Sequence, residues 1–356
     1  MNEFVYNGRP AHVVFGAGSL QHLEREVLAL GAKRALLLST PEQRDQAQAL
    51  AARLGERIAG IFDRAAMHVP IEVAREAREL ARSLGADCAI AIGGGSTVGL
   101  GKAIALESDS ALPILAIPTT YAGSEMTPIY GITEAGMKRT GNDARVLPKS
   151  VIYDPELTLS LPVGLSITSG INAIAHAAEG LYAKDTNPVM SLMAEEGIRA
   201  LAQGLPGIRA RSDDIDARSK ALYGAWLCGT VLGNVGMALH HKLCHTLGGS
   251  FNLPHAETHT VVLPHALAYN AAHAPEAMQR IARALGTDDA AQGVHELALT
   301  NGAPVSLRAL GMQETDLDRA ADLACANPYW NPRPVERAAI RALLQNAYDG
   351  TAPRKV

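Results

Sequence analysis

Hydrophobic positions along this chain fall into two regimes. Up to about residue 155, short runs that are apolar at every position alternate with longer stretches in which apolar residues recur every three or four positions. The short runs lie at 11–15, 35–38, 58–62, 88–92 and 114–117. A run without polar interruptions fits a strand buried on both faces. Between them, Leu20, Leu23, Val27 and Leu28 share a helical face, with Ser19 as a possible cap and Gly31 as the stop. Pro41 opens a second helix that Gly55 closes, and Pro70 opens an alanine-rich third that ends at Gly85. This alternation predicts a Rossmann-like α/β domain with a mostly parallel sheet and helices on both faces.

From about Pro162 the strand runs stop. Helical patterns cover 166–183, 189–203, 215–234, 235–247, 257–270, 276–285, 292–301 and 314–324, with a last one near 335–347. The seam predicts two domains, an α/β dinucleotide-binding domain over 1–160 and an all-α substrate domain over 161–356, in keeping with a length of 356 residues. A site in the cleft between them is the expectation.

Three loops of the first domain carry candidate chemistry. The fourth run leads straight into Gly93-Gly94-Gly95-Ser96-Thr97, and a helix follows. Bare glycine backbone lets phosphates approach, and a helix N-terminus supplies donors and partial positive charge. Alone, such a turn also fits a tight strand-to-helix connection. Pro118-Thr119-Thr120 follows the next run at the same sheet edge, where ligands of parallel sheets bind. Ser39-Thr40 ends the second run, where NAD-selective sites place a carboxylate. Here the nearest acid is Glu42, so either NADH or NADPH should be accepted. The candidate cofactor contacts are Ser39, Gly94, Gly95, Ser96, Thr97, Thr119, Thr120, Ser124, Thr127, Lys138, Leu157 and Thr158.

The second domain concentrates histidine. Five of twelve sit in 238–259: His240, His241, His245, His255 and His259. His241 and His245 share a helix face, Gly248-Gly249 reads as the helix stop, and His255 returns on a loop beside Pro254. Upstream, Asn172 and His176 are also four apart. Asn172, His176, His241 and His255 can form a cluster with metal-site geometry. His240 reads as a surface or packing residue, and His259 and His265 as packing or capping ones. Lys242 should point elsewhere on the helix.

Composition narrows the partners. The net charge is −4 and aromatics make up 4%, so neither a basic footprint nor a stacking platform for nucleic acid is present. No run of apolar residues is long enough to suggest a membrane span. Cys88, Cys228, Cys244 and Cys325 form no C-x-x-C pair, as expected of reduced thiols in a cytoplasmic protein. The first ten residues lack the basic-then-apolar pattern of a signal peptide.

These motifs together resemble the group III, or iron-type, alcohol dehydrogenases. The similarity runs through Phe15–Gly18, Gly93–Ser96 with Lys102, Pro118–Thr120, Asp154-Pro155, Ser169–Glu179 and Leu239–Asn270. It implies the dehydroquinate synthase-like fold of that family, an NADH or NADPH cofactor and a homodimer. Family members hold a metal with an aspartate and three histidines, and the matching positions here are Asn172, His176, His241 and His255. His245 matches a histidine beside substrate and nicotinamide. The departures carry information. A neutral amide stands where the carboxylate should be, and the aspartate of the glycine-turn motif is Gly99. Three histidines alone can still bind zinc, so a metal remains open, but the expectation is a vestigial site that works without one.

The Pro118–Pro128 run, His68-Val69-Pro70, Asn172 and Asn327–Arg333 resemble the maleylacetate-reducing branch. That implies reduction of a carbon–carbon double bond in a small dicarboxylate, giving 3-oxoadipate, in bacterial breakdown of aromatic compounds. His245 is then the candidate proton donor, with His241, His255, His176 and Asn172 around the substrate oxygens. His68 and Arg333 either reach the site or shape their loops. A metal-dependent alcohol or polyol dehydrogenase, a sugar-phosphate cyclase and an inactive nucleotide-binding protein are the alternatives.

Overall fold

The structure is a computed structural model that describes residues 4, 6, 8, 12–107, 112–135 and 137–354. It divides into two compact units, one over Gly8–Leu161 and one from Pro162 onward. No single helix among the described residues is long and apolar enough to cross a membrane.

The α/β unit runs β1 (His12–Phe15), α1 (Leu23–Ala29), β2 (Ala35–Leu38), α2 (Arg44–Leu54), β3 (Ile58–Phe62), α3 (Ile71–Ser83), β4 (Cys88–Gly93), α4 (Gly95–Leu106), β5 (Ile114–Pro118), β6 (Ile129–Glu134), β7 (Met137–Asn142) and β8 (Ser150–Tyr153). Six strands form one parallel sheet in the order β1-β8-β5-β4-β2-β3, and β6-β7 form a separate antiparallel pair. β2, β4, β5 and β8 are buried at every position, which is why their runs carry no alternation. The chain goes outward from β2 to β3 in one direction, then returns to β4 on the other side. The carboxyl ends of β2 and β4 therefore flank a topological switch point, the usual crevice for a ligand.

Two features differ from the sequence expectation. β8 and the β6-β7 hairpin are framed only by single 3-10 turns and not by α-helices, and β8 pairs with β1 across more than 130 residues. Ser19 does not cap. Its hydroxyl donates to Tyr153 O, and Gly18, at φ 73°, takes the cap position.

The helical unit contains α5 (Val163–Leu181), α6 (Pro188–Ala210), α7 (Ile215–Asn234), α8 (Leu239–Phe251), α9 (His255–Asn270), α10 (Pro275–Leu285), α11 (Ala290–Thr300), α12 (Leu317–Ala326) and α13 (Arg337–Asp349). α5 is buried along almost its whole length, so it is a central helix. On α8, Leu239, Leu243 and Leu247 repeat every four residues and enter a core with Val261, Val262, Leu344 and Tyr348. That burial fixes the helix rotation and turns its histidines to other faces. α8 starts four residues later than its periodicity suggests and passes through Gly248-Gly249. It ends at Asn252, which takes the left-handed conformation at φ 55°. His255 is the first residue of α9, with Pro254 at its cap, and is not on a loop.

Candidate active site

In the α/β unit, the loops after β2, β4 and β5 are tied together at the carboxyl end of the sheet. Gln43 Nε2 donates to Thr119 Oγ1 at 2.7 Å, linking the β2 loop to the β5 loop. Gly93 closes β4 at φ 147°, and a Cβ there would lie 2.4 Å from Thr97 Oγ1 and 2.6 Å from Gln43 Oε1, so only glycine fits. A Cβ on Gly94 would meet the Thr120 side chain at 2.9 Å. Gly95 begins α4 with no side-chain cap on its N-terminus, leaving backbone donors for an anion. Ser39 Oγ and Thr97 Oγ1 are fully buried hydroxyls without a hydrogen-bond partner. Orphaned polar groups are rare in folded proteins, and here they flank the switch point.

The other predicted cofactor positions have structural work of their own. Lys102 is fully buried beneath this edge, and its ammonium donates to Ser124 O, Ser124 Oγ, Thr127 Oγ1 and Ile129 O. Burial pulls its pKa down to about 7, and Glu125 opposes that shift. Thr158 Oγ1 donates to Pro155 O, and Leu157 packs into the sheet's core. The side chain of Lys138 lies outside the described residues. Val69 sits against Gly99, where a Cβ would be 2.8 Å from Val69 Cγ2. The valine has taken the space next to the position where the family motif has its aspartate. His68 and Val69 both adopt positive φ, 63° and 49°.

In the helical unit six imidazoles converge. Ring centroids are 5.2 Å apart for His176 and His241, 5.1 Å for His241 and His259, 4.4 Å for His255 and His259, 4.8 Å for His240 and His259, and 6.0 Å for His241 and His245. Asn172, His176, His240, His241 and His259 are buried, and His245 and His255 are exposed. The site has a buried floor and an accessible rim. His240 is not a surface residue: it is fully buried, and its Nε2 lies 3.0 Å from His259 Nδ1. Burial, reinforced by neighbouring imidazoles, pushes His176, His240 and His259 well below the usual histidine range. These rings are neutral at pH 7.

Glu179 organises this floor and was missed in the sequence. It lies seven residues beyond Asn172 and three beyond His176, on the same face of α5. Its carboxylate accepts from Ala238 N and His240 N at 2.7 Å each, so a residue of α5 caps the start of α8. It also takes His241 Nδ1 at 2.7 Å. That bond puts the ring proton on Nδ1 and leaves His241 Nε2 buried and unpartnered, as are Asn172 Oδ1 and His176 Nδ1. The His176-x-x-Glu179 spacing was the available signal.

The remaining candidates are placed as follows. His245 Nδ1 lies 3.1 Å from Tyr329 Oη. The Lys242 ammonium is 5.8 Å from the Tyr329 ring centre. The Arg333 guanidinium stacks on Tyr269 at 4.0 Å and donates to its carbonyl. His265 is buried, and burial pulls it down to about 4, with His295 adding to the shift.

The donor set is weaker for a divalent cation than one with a carboxylate, although three imidazoles hold zinc in some sites. Asn172 and three imidazoles supply no negative charge. His176, His241 and His255 are not a set with ligand atoms within 4.8 Å of one another. Among the described residues that spacing is met by His240, Cys244 and His259. Two of those rings already bond each other, and burial holds the Cys244 thiol well above its usual range.

Residues 10–155 match the iron-containing alcohol dehydrogenase family, and residues 166–348 match the C-terminal domain of the Fe-containing alcohol dehydrogenase family. The chain is 66% identical over 353 residues to a maleylacetate reductase from Burkholderia cepacia, covering 99% of this chain and 100% of that one. The solved maleylacetate reductase from Rhizobium sp. strain MTP-10005 is 58% identical with a TM-score of 0.95, and that from Agrobacterium tumefaciens is 57% identical, also at 0.95. Each alignment covers 99% of this chain and 100% of the other. The chain belongs to the iron-containing alcohol dehydrogenase family and groups there with the maleylacetate reductases.

Proposed function

We propose that this chain reduces the carbon–carbon double bond of maleylacetate to give 3-oxoadipate, with NADH or NADPH as hydride donor and no metal. The observation that carries the reading is the neutral set of unpartnered atoms on the floor, Asn172 Oδ1 in place of a carboxylate beside His176 Nδ1 and His241 Nε2, with the Glu179 charge turned to the start of α8 and to His241 Nδ1. A dianionic substrate is repelled by an aspartate and tolerated by an amide. The full-length similarity to maleylacetate reductases supports the same substrate.

In this reading the dinucleotide occupies the switch point of the α/β unit. Its phosphates lie against the Gly94–Thr97 turn, with the orphaned hydroxyls of Ser39 and Thr97 as partners. Thr119 and Thr120 shape the same crevice. Thr40 hydrogen-bonds the exposed Glu42, Asp63 at the end of β3 is paired with Arg44, and Ser39 carries no charge to repel a 2′-phosphate. Both cofactors fit.

Hydride adds to the alkene carbon β to the ketone. The double-bond electron pair moves to the ketone oxygen, giving an enolate, and the carbon next to the ketone then takes a proton. His241 Nε2, oriented by Glu179, and the neutral His176 and Asn172 line the floor on which the substrate's oxygens rest. His255 adds a donor at the rim. His245 is exposed enough to exchange protons with solvent and is the proton donor. A conjugated enone is already electrophilic, so the step needs less Lewis-acid help than alcohol oxidation does.

The test is NAD(P)H oxidation on adding maleylacetate, with 3-oxoadipate identified as product. A second reading, metal-dependent alcohol oxidation, draws on the Glu179–His241 bond, since a carboxylate commonly backs a metal-bound histidine. Oxidation of simple alcohols by NAD+, dependent on added zinc or iron and without maleylacetate reduction, would favour it.

A further inference from the structure

The segment between α12 and α13 has no regular secondary structure, yet it is fastened down at several points. Asn331 and Asn270 exchange two amide hydrogen bonds, at 2.9 and 2.7 Å, and Asn331 Nδ2 also donates to Arg333 O. Tyr269 Oη donates to Pro334 O and accepts from Glu336 N, and Arg333 covers the Tyr269 ring. Apart from the Asn331–Arg333 bond within the strap, these anchors reach Tyr269 and Asn270 in the last turn of α9. An irregular strap held by that many directional bonds is expensive to order, so the residue it presents is of interest. That residue is Tyr329, 38% exposed, whose hydroxyl lies 3.1 Å from His245 Nδ1 and whose ring meets the imidazole edge-on at 6.1 Å.

Building on the proposed reduction, we propose that Tyr329 is a positioning residue for it. Its hydroxyl accepts a hydrogen bond from Nδ1–H of the His245 imidazolium, so that the Nε2 proton is the one given to the substrate, leaving the ring neutral. After hydride has added and the electron pair rests on the ketone oxygen, the neighbouring carbon forms a C–H bond with the Nε2 proton as the enolate collapses to the ketone. His245 keeps its Nδ1 proton on Tyr329 throughout, and Nε2 is reprotonated from solvent. Tyr329 neither gains nor loses a proton in the cycle. Burial and the charge of Glu179 hold its phenol above the ordinary tyrosine range, consistent with a group that stays neutral. A wandering imidazole exposed to water would sample orientations and both tautomers, and the strap removes that freedom.

The test compares wild type, Tyr329→Phe, Asn331→Ala and the double variant, by steady-state kinetics with maleylacetate and NADH. Tyr329→Phe keeps the ring and removes the hydroxyl. It is expected to lower kcat by about 10- to 100-fold, the usual scale for a supporting hydrogen bond of this kind, with both KM values within about two-fold. The solvent deuterium isotope effect on kcat should rise, because protonation becomes slower. Asn331→Ala should give a smaller kcat loss, and the double variant should be no worse than Tyr329→Phe, since both act through one contact. If Tyr329→Phe retains kcat, raises KM instead, or adds fully to Asn331→Ala, the inference is wrong. If wild type itself does not reduce maleylacetate, the proposed function fails and takes this inference with it. An active wild type beside an unaffected Tyr329→Phe refutes the inference alone.

Discussion

Glu179→Gln is the most revealing single change in the helical unit. The carboxylate is completely buried and uses both oxygens. Oε1 takes His240 N, and Oε2 takes Ala238 N and His241 Nδ1, each at 2.7 Å. Glutamine has one acceptor oxygen. If that oxygen occupies the Oε2 position, its NH2 faces His240 N–H. If it occupies the Oε1 position, Ala238 N–H and the His241 ring lose their acceptor. Either way at least one buried donor is orphaned, at roughly 1–3 kcal/mol, and charge-assisted bonds of roughly 1.5–3 kcal/mol each are weakened. Loss of an anion at the start of α8 adds up to about 1 kcal/mol. The sum is roughly 3–5 kcal/mol, which for a unit of this size lowers Tm by about 6–20 °C. Thermal unfolding followed by circular dichroism measures it. Kinetics on the folded variant should show a lower kcat, because His241 loses the partner that fixes its tautomer. A variant that melts within about 2 °C of wild type with unchanged kcat would refute the role given to Glu179.

Three further outcomes follow. Asn172→Asp restores a carboxylate beside His176 and His241, so the purified variant should retain zinc by elemental analysis, and kcat/KM for maleylacetate should fall by about tenfold or more through repulsion of the dianion. Thr40→Asp, at the partly exposed next position, should turn a dual cofactor preference into selectivity for NADH by about tenfold or more, read from kcat/KM with each nucleotide. The third concerns acid stability. His265 titrates at about 4 when folded against 6.5 unfolded, so below pH 6.5 the unfolded chain binds the extra proton and stability falls as pH drops toward 4. One such site is worth roughly 3 kcal/mol over that window. His176, His240 and His259 shift in the same direction. Urea unfolding at pH 7.5, 6 and 5 should show falling midpoints, and His265→Gln should flatten the slope.

Much of the fold was legible because β2, β4 and β5 are buried on both faces and α6 and α10 each carry an apolar face, so local pattern and tertiary burial agree. The pattern failed where a distant residue decides a local outcome. α8 begins where Glu179, 59 residues earlier, caps Ala238, and not where its apolar repeat begins. β8 exists because β1 and β5 flank it, and four residues carry no signal of that. In the site, Asn172, His176, His241 and His255 could be grouped from helix spacing and resemblance. Glu179 resembled any acid near a helix end. His240 and His259 read as bystanders because a single spacing cannot show that two helices bring their rings to 3.0 Å. The ties of Gln43 and Lys102 to residues 22 to 76 positions away are likewise contacts of the folded chain alone.

Whether a metal-site scaffold lacking its carboxylate reduces a conjugated dicarboxylate on imidazoles alone is decided by the rate of NADH oxidation with maleylacetate in protein stripped with a strong chelator and shown metal-free by elemental analysis. The stripped enzyme should show an unchanged kcat, one 3-oxoadipate formed per NADH, and no stimulation by zinc or iron. A stripped enzyme that is inactive and regains its rate with either metal would contradict metal-free reduction.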